Sequence, residues 1–231
     1  MIEKKVYSQH GEDGIIEYLI SHLKECNKTF LEIGYGNGTQ NNSLNLSKNH
    51  NWSGVGVDLK EQAAKPPAQV KIIQKIITLD SVNELLAVSG KDIDFYSVDI
   101  DSIDYWLTIA LLNAGLNPKI VCVETMNSAG PDLLVAPPKN TKVFNKHYIC
   151  GASVAAWRAF WEHRGYKFLT VDASGINAFF YKPEYFNSEV DNYPKIEYAR
   201  SKRWIPYDDW LKFFTEKINL KDAIVTGKEE V

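Results

Sequence analysis

The residues able to do chemistry cluster where short apolar runs end. Gly34, Gly36 and Gly38 alternate over five positions directly after the run at residues 29–33. A turn of this kind lets a ligand approach the backbone closely where a helix begins. Asp58 follows Gly38 by twenty residues and closes the next apolar run. From that position a carboxylate can accept both hydroxyls of a ribose. Asp99-Ile100-Asp101 closes a later run, and Glu124 closes the one after it. Three carboxylates around one mouth either hold a divalent cation through hard oxygen ligands or share protons, because like charges at close quarters raise one another's pKa.

Each of these residues also has a plainer use. A glycine-rich turn forms without any ligand. Asp101 and Asp104 sit where a helix begins and can cap it. His147 is a second candidate base beside Asp101, and an isolated loop histidine is commonly just solvated.

The elements that would position these groups follow a βα alternation. Helical spacing of Ile15, Ile16, Leu19, Ile20 and Leu23 predicts a helix over 14–23, after an acidic start at Glu12 and Asp13. Strands are expected at 29–33, 53–57, 70–77, 94–98 and 119–123, with helices at 40–48, after Asp80 or Ser81, and at 102–114. Continuous apolar strands separated by helices mean a parallel sheet covered on both faces, a doubly wound α/β domain. After Glu124 the pattern lapses over 125–149, where Gly130, Pro131, Pro137 and Pro138 oppose regular structure. A loop of that length in a compact domain is usually a lid or a binding segment. A helix over 152–163 and two β-like runs, 167–171 and 178–181, then suggest an antiparallel hairpin at the sheet edge. The tail from 183 is rich in aromatic and charged residues, with one helix expected near 207–217.

The chain has 231 residues, 45% hydrophobic and 24% charged, with 26 basic against 29 acidic residues. That composition argues against fibrous and disordered classes, and the weak net charge argues against a nucleic-acid-binding surface. Cys26, Cys122 and Cys150 show no metal-binding spacing. No apolar run is long enough to span a bilayer, and residues 1–6 lack a signal core, so a cytoplasmic protein is expected.

The segment Glu32-Ile33-Gly34-Tyr35-Gly36-Asn37-Gly38 resembles the E/D-x-G-x-G-x-G signature of class I S-adenosylmethionine-dependent methyltransferases. Dinucleotide binding wants G-x-G-x-x-G/A, and here Thr39 occupies the third position. The opening Tyr7-Ser8-Gln9-His10-Gly11-Glu12-Asp13-Gly14-Ile15-Ile16 is similar to the S-Q-x-G-E-D start of a group related to the FkbM-like methyltransferases, which O-methylate sugars and other hydroxyl-bearing natural products. Further matches include Phe30–Gly34, Ser97–Trp106, Val123–Asn127 and Gly151–Ser153.

The resemblance implies a Rossmann-like class I methyltransferase sheet, mostly parallel with an antiparallel C-terminal hairpin strand. It implies a methyltransferase domain over 1–182 with a substrate loop at 125–149, and a C-terminal extension, 183–231, packed on the same domain. Glu32, Gly34, Gly36, Gly38, Asp58 and Asp99 would hold the cofactor, with Ser8 and Gln9 closing over it. The alternative for Ser8 or Asp13 is capping of the first helix. The Asp-x-Asp also resembles magnesium-dependent sugar O-methyltransferases. On that pattern Asp99 and Glu124, with Asn127 as a third ligand, would take Mg²⁺ or Mn²⁺, and Asp101 would be the base. Those enzymes carry adjacent acidic residues at the fifth strand, whereas Thr125 follows Glu124 here.

The implied acceptor is a carbohydrate or nucleotide-sugar, and the chain can be part of a larger glycan-building protein. Tyr148, Trp204 and Tyr207 are candidate sugar-stacking residues, while Trp157, Phe160 and Trp161 read as packing. Lys142, Lys146, Arg200, Lys202 and Arg203 are either phosphate contacts or a solvated charged face. Two rivals remain open: a nicotinamide-dependent oxidoreductase, and a non-catalytic glycan-binding module on the same fold.

Overall fold

The structure, a computed structural model, describes residues 2–141, 148–200 and 205–230. The apolar runs form β1 (Thr29–Ile33), β2 (Ser53–Asp58), β3 (Val70–Gln74), β4 (Asp92–Val98), β5 (Asn117–Glu124), β6 (Lys167–Val171) and β7 (Asn177–Tyr181). They join in one sheet of order β3-β2-β1-β4-β5-β7-β6. Strands β1 to β5 pair in parallel, and β7 pairs antiparallel with both β5 and β6. The hairpin therefore does lie at the edge, with its second strand inserted beside β5 and its first outermost. This is a Rossmann-like α/β sheet, mostly parallel with an antiparallel C-terminal hairpin.

Alternation along each strand explains why both faces need cover. Leu31, Tyr96, Val121, Val123 and Phe180 belong to one buried cluster, which packs on α3 (Val82–Ser89), α4 (Asp104–Asn113) and α5 (Val154–His163). Their strand neighbours Phe30, Phe95, Ile120, Cys122 and Phe179 belong to a second cluster with Ile15, Ile16 and Leu19 of α1 (Glu12–Ser21) and Leu46 of α2 (Leu44–Asn49). The stripe Trp157, Phe160 and Trp161 is fully buried against the first face, as packing requires.

Several boundaries differ from expectation for visible reasons. Helix α2 starts at Leu44 rather than near residue 40, because the Glu32 carboxylate accepts the N–H groups of Asn42 and Ser43 and holds that stretch as a turn. Strand β3 stops at Gln74, opposite Asp58, where its only partner strand ends. Helix α4 starts at Asp104 rather than at residue 102, for a reason given with the site. The helix expected near 207–217 forms as α6 (Tyr207–Phe213) running directly into a π segment at Phe214–Ile218, and a short α7 (Leu220–Ala223) follows.

A third core lies away from the sheet. Met126, Ala129, Val135, Ile149 and Cys150 from the loop after β5 bury against Trp210, Phe214 and Ala223 from the tail. Backbone bonds sew the two together: Ala136 N–H donates to Ala223, Val225 N–H donates to Leu134, and Val135 bridges Ile224 antiparallel. Earlier, the tail packs Phe186, Val190 and Tyr193 onto the second face of the sheet. Among the described residues no helix is long and apolar enough to cross a membrane.

Candidate active site

In an open parallel sheet the ligand crevice lies beyond the strand C-termini where strand order reverses, here between β1 and β4. A cleft of about 310 Å³ occupies that place, lined from the ends of β1, β2, β4 and β5 and from the segment before α1. Its walls carry six carboxyl groups, Glu12, Glu32, Asp58, Asp99, Asp101 and Glu124, against one lysine, Lys60. Such a cleft favours a cationic guest and repels an anionic one.

The glycine turn is pinned on both sides. Gly34 and Tyr35 N–H both donate to Val57, at 2.8 and 3.0 Å, and Asp99 N–H donates to Ile33 at 2.8 Å. Gly34 has φ +93°, and a Cβ there would sit 1.8 Å from the Asp99 carbonyl oxygen, so no other residue fits. Gly36 N–H donates to Asp58 Oδ2 at 2.7 Å, while Asp58 Oδ1 accepts from Lys60 N–H at 2.7 Å. Asp58 thus reaches the turn as well as the cleft. Tyr35, the unusual neighbour of the first glycine, is fully buried beneath the turn against Gly56 and leaves the cleft open.

Glu32 acts through backbone. Besides the two N–H groups it accepts the Ser43 hydroxyl, and burial still pushes its carboxyl up to about 7, outweighing three donors that lower it.

The ends of β4 and β5 bring Asp99, Asp101 and Glu124 together, with one carboxylate oxygen of each within 4.8 Å of the others. Asp101 has φ +56°, left-handed backbone that most residues avoid. Asp104 imposes it: its buried carboxylate accepts Ile100 N–H at 2.8 Å and Ser102 N–H at 2.9 Å, one on each side of Asp101. The chain is therefore a bound turn up to residue 103 and a helix only from Asp104. Burial raises the Asp99 carboxyl to about 7, helped by repulsion from Asp101. Burial and then the Asp99 charge push Glu124 well above the usual carboxylate range. No hydrogen-bond donor among the described residues reaches the buried Glu124 Oε2. Close-set hard oxygens, one of them without a donor, fit an Mg²⁺- or Mn²⁺-sized ion.

Other expected residues are placed differently. Gln9 lines the cleft, but Ser8 is buried behind it, where its hydroxyl donates to Asp13 Oδ2 at 2.9 Å and accepts Asp13 N–H at 3.1 Å. Asp13 Oδ2 also collects the N–H groups of Val6, Tyr7 and Ser8. Ser8 thus satisfies one N–H group in the first turn of α1, whose N-cap is Gly11, and Asp13 holds the segment before the helix. Asn127 does not line the cleft; its amide nitrogen donates to the carbonyls of Gly175 and Ala199, and no donor among the described residues reaches its buried Oδ1. Gly38 is not in the lining either. His147 lies outside the described residues, as do Lys142, Lys146, Lys202, Arg203 and Trp204.

Two groups in the cleft escaped the sequence reading. Glu12 turns its buried carboxylate inward, accepting His10 N–H at 2.6 Å and the Asn177 amide at 2.8 Å. Its only signal was its place in the opening motif. Asn177 had none, because only the insertion of β7 beside β5 brings it to the mouth.

No family model matches the chain, and no curated protein matches it. Among solved structures it overlaps one from Plasmodium falciparum provisionally named a ribosomal RNA methyltransferase, with a TM-score of 0.43 and 15% identity over 75% of this chain and 96% of that one. It also overlaps one from Lactococcus lactis provisionally named a hemolysin, with a TM-score of 0.46 and 15% identity over 92% of this chain and all of the other, 100%. Both overlaps are too distant to bear on function.

Proposed function

We propose that this chain is an S-adenosylmethionine-dependent O-methyltransferase acting on a sugar hydroxyl in a glycan or glycoconjugate. The observation that carries this reading is the acidic lining of the cleft beside the glycine turn: six carboxyl groups, four of them raised by burial, and one lysine. A sulfonium with its ammonium group is a cationic guest that such walls attract, whereas the pyrophosphate of a nicotinamide dinucleotide is an anion they repel. The same argument favours a glycan over a nucleotide-sugar as acceptor. Asp58 beside the Gly34–Gly36 turn, and Glu12 with Asn177, are the groups that would hold the cofactor, which supplies an electrophilic methyl group when bound.

The chain's own contribution is positioning and proton transfer. Asp101, held by Asp104 at the mouth, takes the proton of the acceptor hydroxyl as its oxygen becomes the nucleophile. Asp99 and Glu124 are the residues that would hold a divalent cation, which would supply Lewis-acid stabilisation of the ionised hydroxyl. Calorimetric titration with S-adenosylhomocysteine, with and without Mn²⁺ and beside an NADH control, tests this. Micromolar binding of the homocysteine alone supports it, and NADH binding or no binding overturns it.

A further inference from the structure

A second cavity, about 370 Å³, lies between the loop after β5 and the tail, and none of its residues takes part in the cleft. The walls include Ser128, Asp132, Leu133, Tyr198, Arg200 and Tyr207. Several features mark it as built rather than incidental. Tyr207 is 41% exposed, rare here for a large ring, and its inner face stacks on the fully buried Trp210 with centroids 5.9 Å apart. Tyr198 is fixed by its hydroxyl, which donates to the Asn127 carbonyl at 2.6 Å. Arg200 donates to the Ile205 carbonyl at 3.2 Å and has no carboxylate partner among the described residues. The Ser128 hydroxyl is buried with no hydrogen-bond partner among them.

The cavity also abuts the cleft. Asn127 ties the carbonyls of Gly175 and Ala199 together, with Ile176 of the cleft on one side and Arg200 of the cavity on the other. Ser128 follows Glu124 by four residues, so the two backbones are at most about 14 Å apart.

We infer that this cavity is a saccharide subsite, binding a pyranose unit next along the acceptor glycan from the one whose hydroxyl meets Asp101. Aromatic rings offer a face to the C–H side of a pyranose, while a guanidinium fork, a carboxylate and a hydroxyl satisfy its hydroxyl groups. A phosphate fits less well, since the walls carry one carboxylate, Asp132, as well as the single arginine. The inference rests on the acceptor being a sugar and deepens it: the acceptor is an oligosaccharide gripped at two units, with the neutral subsite supplying affinity that the acidic cleft does not.

Protein-observed NMR of the full chain, with labelled tyrosine and glycine, tests it using methyl glycosides of glucose, galactose, mannose and N-acetylglucosamine and the matching trisaccharides. At least one trisaccharide should shift Tyr198 and Tyr207 and bind about tenfold more tightly than its methyl glycoside. Arg200→Gln and Tyr207→Ala should each remove that advantage, about tenfold, whereas Tyr207→Phe should keep it and guards against misfolding in the alanine variant. Binding of S-adenosylhomocysteine, read at Gly34 and Gly36, should be unchanged in all three. If no trisaccharide moves the tyrosines, or the variants bind as the wild type does, the subsite is overturned. Failure of the homocysteine to move the glycines overturns the methyl-transfer reading instead.

Discussion

The cleft and the loop-and-tail core are held by opposite means. Around the cleft, carboxylates grip backbone N–H groups: Glu32 those of Asn42 and Ser43, Asp58 that of Gly36, Asp104 those of Ile100 and Ser102. In the third core, side chains from the loop and tail meet through apolar contact, with Trp210 and Phe214 fully buried against Met126 and Cys150. Charged anchoring fixes backbone to within a hydrogen bond, which suits groups that must aim at a reacting atom. Apolar packing is non-directional and tolerates adjustment, which suits a surface that closes over acceptors. Glu32 and Asp104 spend their carboxylates on backbone geometry, Asp99, Asp101 and Glu124 face the cleft, and Asp58 does both.

The sharpest division is between Asp104 and Asp101. Asp101→Asn keeps the Asp104 grip, which is on its neighbours, and removes the proton acceptor. Turnover should fall about 10²- to 10⁴-fold while S-adenosylhomocysteine affinity holds. Steady-state rates beside calorimetry check this, and full activity would take Asp101 out of the base role.

On the other side of the comparison stands Trp210→Ala. It empties a large, fully buried site, and about 3–5 kcal/mol of stability should be lost if loop, tail and sheet unfold as one unit. Chemical denaturation measures it. A loss confined to faster proteolysis at the loop, with the main transition unmoved, would show that the third core opens separately from the sheet.

That contrast also explains what was legible in the sequence. Strands β1, β4 and β5 were, because the apolar runs there stop at Gly34, Asp99 and Glu124, and the strand-end acids follow directly from them. Helix periodicity located α1, α4 and α5. Which acid would turn to backbone was not legible: Glu32 and Asp104 look no different in sequence from Asp99 and Asp101, and only the turns they hold separate them. Nor was the third core, whose contacts join distant positions with no local period. Trp210 Nε1 donates to Met126 Sδ across 84 residues.

Charged anchoring should register pH where apolar packing does not. Glu32 ionises near 4.5 when unfolded and near 7 when folded, so the folded chain keeps a proton that the unfolded chain has lost. A raised carboxyl stabilises the fold only below its unfolded value, and stability drains away as pH climbs through 4.5 towards 7. The full loss is about 3 kcal/mol. The slope of stability against pH between 5 and 8 should therefore be shallower in Glu32→Gln than in the wild type. The remaining slope belongs to Glu12, Asp99 and Glu124, which shift the same way. A wild-type chain that gains stability through that window would mean the three donors outweigh burial.

The smallest effect tests the joint between the two regions. Ser153 is fully buried; its hydroxyl donates to Leu133 at 2.6 Å and accepts the N–H groups of Val135 and Ala156, each at 3.1 Å. One oxygen therefore caps α5, which packs on the sheet, and holds the loop that lines the saccharide cavity. Ser153→Ala should cost about 1–2 kcal/mol, the usual value of a lost helix cap, and lower Tm by a few degrees, about 2–4 °C per kcal/mol in a chain of this size. Scanning calorimetry decides what the joint transmits. A lower Tm with one sharp transition means strain passes between sheet and loop. A second, earlier transition means the serine is a clasp whose release frees the loop while the cleft, held by its own carboxylates, stays formed.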